Sequence, residues 1–205
     1  MTLTPREAAF VADSTLLAVE RAVDGGVVPN QTQTVAGRKT RVLGHSELRF
    51  FSTLRSQENA LTLAGRRLLY EAVQHPQDGK ATLGPFVVDV RKVDLEIERR
   101  FAELNQLKGR VEEGTDGDPV VKGTAVPVHV VAALATDGGV EAACRAYPSL
   151  PRTAIETAVA YAAVYPKRGR PYPARSMKQM LSELALPDEV FGEAAAESGP
   201  REVRL

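Results

Sequence analysis

The feature that most constrains the fold is a proline set between two valines. In GTAVPVHVVAAL, residues 123–134, the chain begins like a strand and ends like an apolar helix. Proline locks its own φ at about −65° and steers the preceding residue away from helical geometry. Val126 is therefore held extended, and Pro127 stands at the first turn of a helix, where its missing N–H costs little. Residues 120–126 read as extended chain that needs a partner strand, from this chain or from a second copy. The helix after Pro127 runs to Ala135 and stops at Gly138 and Gly139. Residues 140–146 form a short second helix, YPSLP a rigid turn, and Pro151 opens a third helix that ends before Pro166. Two helices joined at a tight turn give a helix-turn-helix outline.

The N-terminal third repeats that outline with different residues. Thr4, Pro5 and Glu7 spell a capping box with proline at the first helical position. Asp13 or Ser14 breaks this helix and caps the next, whose Leu16, Val19, Ala22 and Val23 share one face and which Gly25 and Gly26 end. VVPNQTQTVAGRKTRVL then predicts two short strands around a turn at Gly37. GHSELRFFSTLR opens a further helix capped by His45 or Ser46. Over residues 3–55 this order resembles the winged helix of MerR and excisionase proteins. The resemblance implies a second helix in the major groove and a wing on phosphate. The candidates for DNA contact are Ser14, Thr15, Ala18 and Arg21 on the helix and Arg38, Lys39 and Arg41 on the wing, where three cations in four residues suit a phosphate backbone. The alternative is an ordinary helical hairpin with solvated turn charges, and the single Arg on the second helix makes base reading thin.

TLAGRRLLYEAVQH predicts an amphipathic helix with Leu63, Leu68, Leu69, Ala72 and Val73 on its apolar side. Phe86, Val88 and Val90 alternate like a strand, and residues 95–107 return to helical spacing. GRVEEGTDGDP is a Gly- and Asp-rich break, read as a boundary near residue 115. The expected fold is mainly α with short β hairpins (α+β). It divides into a winged-helix domain at 1–80, a strand-helix connector at 81–115, a helix-turn-helix-like domain at 116–171 and a partner-binding or disordered tail at 172–205.

Composition narrows the function. The 205 residues carry 26 Lys plus Arg against 26 Asp plus Glu, so no overall field points to a polyanion. The charge is local instead. Residues 27–70 hold Arg38, Lys39, Arg41, Arg49, Arg55, Arg66 and Arg67 against Glu47 and Glu58, while the tail after Met180 is acidic. Basic patches on a neutral chain suit a local anionic partner or an acidic protein. The single cysteine, Cys144, excludes an intramolecular disulfide and fits a reducing compartment. No signal peptide and no membrane span are expected, which places the chain in the cytoplasm. His45, His75 and His129 are scattered, with no metal-ligand spacing and no phosphate loop, so no enzyme and no cofactor are expected. Cys144 reads as a structural thiol beside Val140 and Ala143.

KGTAVPVHVVAAL, the Gly-Gly gap, AYPSLPRTAIETAVAYAA and YPKRGRP resemble the bacterial domain of unknown function 433 over residues 118–171. Together with the N-terminal outline, the chain resembles VapB-type antitoxins that carry this domain. That resemblance implies a dimeric antitoxin that binds double-stranded DNA, represses its own operon and neutralises a PIN-domain ribonuclease toxin. The usual G-T-R motif and the usual Asp before Tyr-Pro are replaced here by Ala125 and Ala146. If those two groups pair in the family, both partners are gone together, which leaves no buried charge unpaired.

The helix after Pro151 is too apolar to read bases and suits protein contact or core, so the second domain is expected mainly to dimerise or bind the partner. Lys167, Arg168 and Arg170, flanked by Pro and Gly, read as a phosphate arm or a solvated linker. In the tail, Met177, Met180, Leu181, Leu184 and Phe191 form an apolar pattern that could enter a partner groove. Arg201 or Arg204 could reach the acidic site of the toxin, and a plain disordered terminus is the alternative. A stand-alone transcription regulator and a protein-interaction adaptor remain as other readings of the whole chain.

Overall fold

The computed structural model describes residues 2–35, 37–55 and 61–167. Among them the fold is α+β, with seven helices and three two-stranded antiparallel sheets. In the first half, α1 (Pro5–Val11) and α2 (Leu16–Asp24) are followed by a hairpin of β1 (Gln31–Val35) and β2 (Arg38–Val42). Then come α3 (His45–Leu54), α4 (Leu63–Gln74), a second hairpin of β3 (Lys80–Leu83) and β4 (Phe86–Asp89), and the long α5 (Val90–Gly109). In the second half, β5 (Val111–Glu113) pairs with β6 (Pro119–Val121), ahead of α6 (Val128–Ala146) and α7 (Arg152–Val164).

Local chemistry sets these elements. Thr4 caps α1 in the expected capping box, its N–H and hydroxyl both donating 2.8 Å bonds to Glu7 Oε2. The cap of α2 is Thr15, not Asp13 or Ser14: its Oγ1 accepts from the Ala18 N–H at 3.1 Å. Asp13 instead takes the left-handed φ of 50° that turns the chain between the two helices. The cap of α3 is Gly44, not His45 or Ser46, because Glu47 reaches back to accept the Gly44 N–H at 2.7 Å. Val90, expected in a strand, opens α5 behind the Asp89 cap.

The first core is built on Phe50, Phe51, Leu48 and Leu43, with Ile97 and Leu104 from α5. Phe50 meets Phe51 and Tyr70 edge-on at centroid distances of 5.2 and 5.7 Å. Each such buried side chain contributes about 1.5–3 kcal/mol. The fully buried residues of α5 are Val90, Ile97 and Leu104, one every seven positions, and Val93 and Phe101 pack partly buried against the same core. Leu63 and Leu68, expected to be inward, are each 53 % exposed.

The opening motif makes a turn before it makes a helix. Gly123 adopts a φ of 75°, and the Thr124 hydroxyl donates to Val121 O at 2.8 Å while accepting from the Val126 N–H at 3.1 Å. The chain thus folds back so that Val121 N–H reaches Val126 O at 2.9 Å, and Pro127 then caps α6. The partner strand for residues 119–121 is β5 of the same chain, drawn from the segment the sequence marks as a break. Gly139, with φ 76°, divides α6 where the two glycines predicted.

A second core of Val121, Val128, Val131, Ala143, Leu150, Ile155 and Ala158 closes this half. Cys144 is half-buried against it. Val164, at the end of α7, belongs to the first core, so the last helix spans both. Among the described residues no helix is long and apolar enough to cross a membrane.

Candidate nucleic-acid interface

The turn between α1 and α2 is fixed from below. The Asp13 carboxylate pairs with Arg55 at the end of α3 and with Arg100 of α5. Ser14 is half-buried, its N–H donating to Ala9 O at 2.9 Å, and Thr15 is exposed but serves as the cap. Ala18 is buried, so its methyl packs inward and presents nothing to a base edge. The outer face of α2 therefore consists of Leu17, Glu20, Arg21 and Asp24, with one cation against two acids.

The hairpin stands against that helix. Arg41 Nη1 lies 2.9 Å from Asp24 Oδ1, a bridge between β2 and the last turn of α2. Lys39, two residues away and on the same face of the strand, is exposed. Arg38 sits beside the Gly37 turn, opposite Val35 in the register. Gln31, Thr32, Gln33 and Thr34 of β1 are exposed hydrogen-bonding side chains. Arg67 of α4, which the motif pattern did not single out, brings its guanidinium about 4.0 Å from where a Cβ on Gly26 would stand, just past the end of α2. Its signal was the basic excess of residues 27–70. A cation there also complements the negative end of the α2 dipole.

Other charged groups are committed to structure. Asp94 of α5 receives Arg49 Nε and Nη2, each at 2.7 Å, and His45 Nε2 at 2.9 Å. Burial works against its charge, but the hydrogen bonds from Arg49 and His45 prevail and hold the carboxyl below the usual range. His129 is half-buried near the Tyr161 ring, and burial together with Lys167 lowers its pKa. Lys167 Nζ lies 3.3 Å from Asp118 Oδ2, which ties the start of the expected arm to the β5–β6 turn. Arg168 and Arg170 lie outside the described residues, as do Met177, Met180, Leu181, Leu184, Phe191, Arg201 and Arg204. Ala125 and Ala146 are both exposed, so neither substitution alters a core.

The structure thus brings Arg21, Arg41 and Arg67 to one end of α2, with Lys39 on the adjoining hairpin. Residues 113–162 match the model of a family described as a protein of unknown function, DUF433. The match takes in β6, α6 and most of α7, and lies within the half that does not hold this cation cluster. No curated protein and no solved structure matches the chain at a significant level.

Proposed function

We propose that this chain is a DNA-binding antitoxin that represses its own promoter as a homodimer and neutralises a PIN-domain ribonuclease. The observation that carries the DNA part is the Arg41–Asp24 bridge. It joins a hairpin bearing exposed Lys39 to the last turn of α2, the second helix of the helix-turn-helix outline. A protein reading a duplex needs that arrangement, because phosphate contacts fix the register in which a helix meets the groove. Arg21, Lys39 and Arg67 supply phosphate contacts, with Arg38 at the tip of the hairpin. The Gln and Thr side chains of β1 can donate to phosphate and sugar oxygens as well.

The toxin part rests on the family resemblance and on the apolar, acidic pattern of residues 172–205. Toxin neutralisation is assigned to that tail and operator binding to the N-terminal half.

A second reading is favoured by Glu20, Asp24 and exposed Leu17 on the outer face of α2. That face repels phosphate and suits a protein surface, which would make the chain an interaction adaptor. A reporter driven by the region upstream of the chain's own gene separates the two. Repression that is lost with Lys39→Ala and Arg67→Ala supports the repressor. An unchanged reporter in cells containing the folded chain, with or without the neighbouring toxin gene, supports the adaptor. Deleting residues 172–205 should abolish rescue of cells expressing the toxin and leave repression intact.

A further inference from the structure

A cleft of about 230 Å3 opens between the end of α5, the β5–β6 hairpin and the first two turns of α7. Its floor is apolar: Val111, Val121, Val128, Ala154 and Ala158. Its rim carries Arg110 and Lys122, and no carboxylate lines it. The Arg110 guanidinium is held at the rim, Nη1 donating to Thr157 Oγ1 at 3.1 Å. Thr157 is only 7 % exposed and is itself fixed by donating to Thr153 O at 2.7 Å. Lys122 is placed by the bond of its N–H to Arg110 O at 3.0 Å. Among the described residues neither cation has a carboxylate partner.

We infer that this cleft is a docking site for an acidic peptide segment of a partner protein, which inserts one large apolar side chain and sets a neighbouring carboxylate on Arg110 and Lys122. At about 230 Å3 the cleft is below the roughly 300 Å3 at which pockets for drug-sized ligands begin and is large enough for one apolar side chain. A single aromatic or aliphatic anchor in a small apolar pocket is how interfaces concentrate their affinity. The charge selects the flanking residues. Two cations at the rim, with no acid among the described residues that line the cleft, are complementary to a carboxylate, and Arg110 can take it in forked geometry because Thr157 already orients its guanidinium. The inference does not depend on DNA binding, since the cleft uses none of the residues assigned to it.

The test uses the full chain with isotope-labelled Val and Ala methyls and the peptide acetyl-Gly-Glu-Phe-Asp-Gly-amide at millimolar concentration. The methyls of Val111, Val121, Val128, Ala154 and Ala158 are expected to shift and saturate. Replacing the peptide's Phe by Ala should remove the shifts. Replacing its two acids by Gln and Asn, or the chain's cations by Arg110→Gln with Lys122→Gln, should each weaken binding about tenfold, the scale of one charge-assisted contact. Both cations are exposed, so the double variant keeps the fold, and unchanged methyl spectra without peptide verify that. No shifts, shifts centred elsewhere, or equal shifts from the Phe→Ala peptide would overturn the site. Equal binding by the neutral peptide would overturn the acidic partner.

Discussion

The phenol of Tyr165, at the end of α7, donates a 2.6 Å hydrogen bond to Glu7 Oε1 in α1. Lys108 of α5 reaches the same oxygen at 2.5 Å and stands 5.9 Å above the Tyr165 ring. One buried carboxylate thereby joins the first helix, the long helix and the last. Tyr165→Phe keeps the ring and removes only the donor. It should cost about 1.5–3 kcal/mol, the range for a hydrogen bond to a charged group. Urea unfolding of the two proteins measures it, and a cycle with Glu7→Gln should show that the two losses do not add.

The same carboxylate predicts acid sensitivity. Burial raises the pKa of Glu7, but bonds from Lys108, Tyr165 and Thr4 outweigh it and set it below the ordinary value. Asp94 is lowered in the same way. The unfolded chain therefore binds protons first as pH falls through about 4. The stability these groups contribute is complete above that pH and is lost as pH drops through their lower folded-state values. The urea midpoint should fall between about pH 6 and pH 3, and fall less in Glu7→Gln.

Phe50 is fully buried and edge-packed on two rings. Phe50→Ala should cost about 3–5 kcal/mol, the range for an aromatic removed from a core. The midpoint of thermal unfolding reads it.

Gly139 holds φ 76°, and nothing stands within 4 Å of an added Cβ. Gly139→Ala therefore isolates backbone strain from crowding. With ψ at 168° the residue lies in a region essentially reserved for glycine, and the substitution should destabilise by about 1–3 kcal/mol. Gly138, just before it, would crowd the Ala142 Cβ instead.

Much of this was legible in the residues. Capping at Thr4, the Gly37 hairpin, the division at Gly139 and the helix after Pro151 follow from local rules that tertiary packing did not override. The misses share a cause. Thr15 and Gly44 became caps because neighbouring side chains and turns, not residue preference alone, decide which position is half-helical. β5 was hidden in a Gly- and Asp-rich stretch because three residues are too few to show alternation. Leu63 and Leu68 stand outward although their spacing is helical, since spacing fixes a face but not whether anything covers it. The candidate site was half legible. The clustered cations marked the hairpin, but the burial of Ala18, the pairing of Arg41 with Asp24 and the arrival of Arg67 depend on contacts across the chain.

The central claim, that the N-terminal half binds DNA, is tested most directly by fluorescence anisotropy. The probes are a labelled duplex from upstream of the chain's own gene and a scrambled duplex, at several salt concentrations. The account predicts tighter binding to the upstream duplex, with a logarithmic affinity that falls linearly with the logarithm of salt. Lys39→Ala and Arg67→Ala should each weaken binding to both duplexes and reduce that slope by about 0.9. Equal, salt-insensitive affinity for the two duplexes, unchanged in the variants, would contradict it.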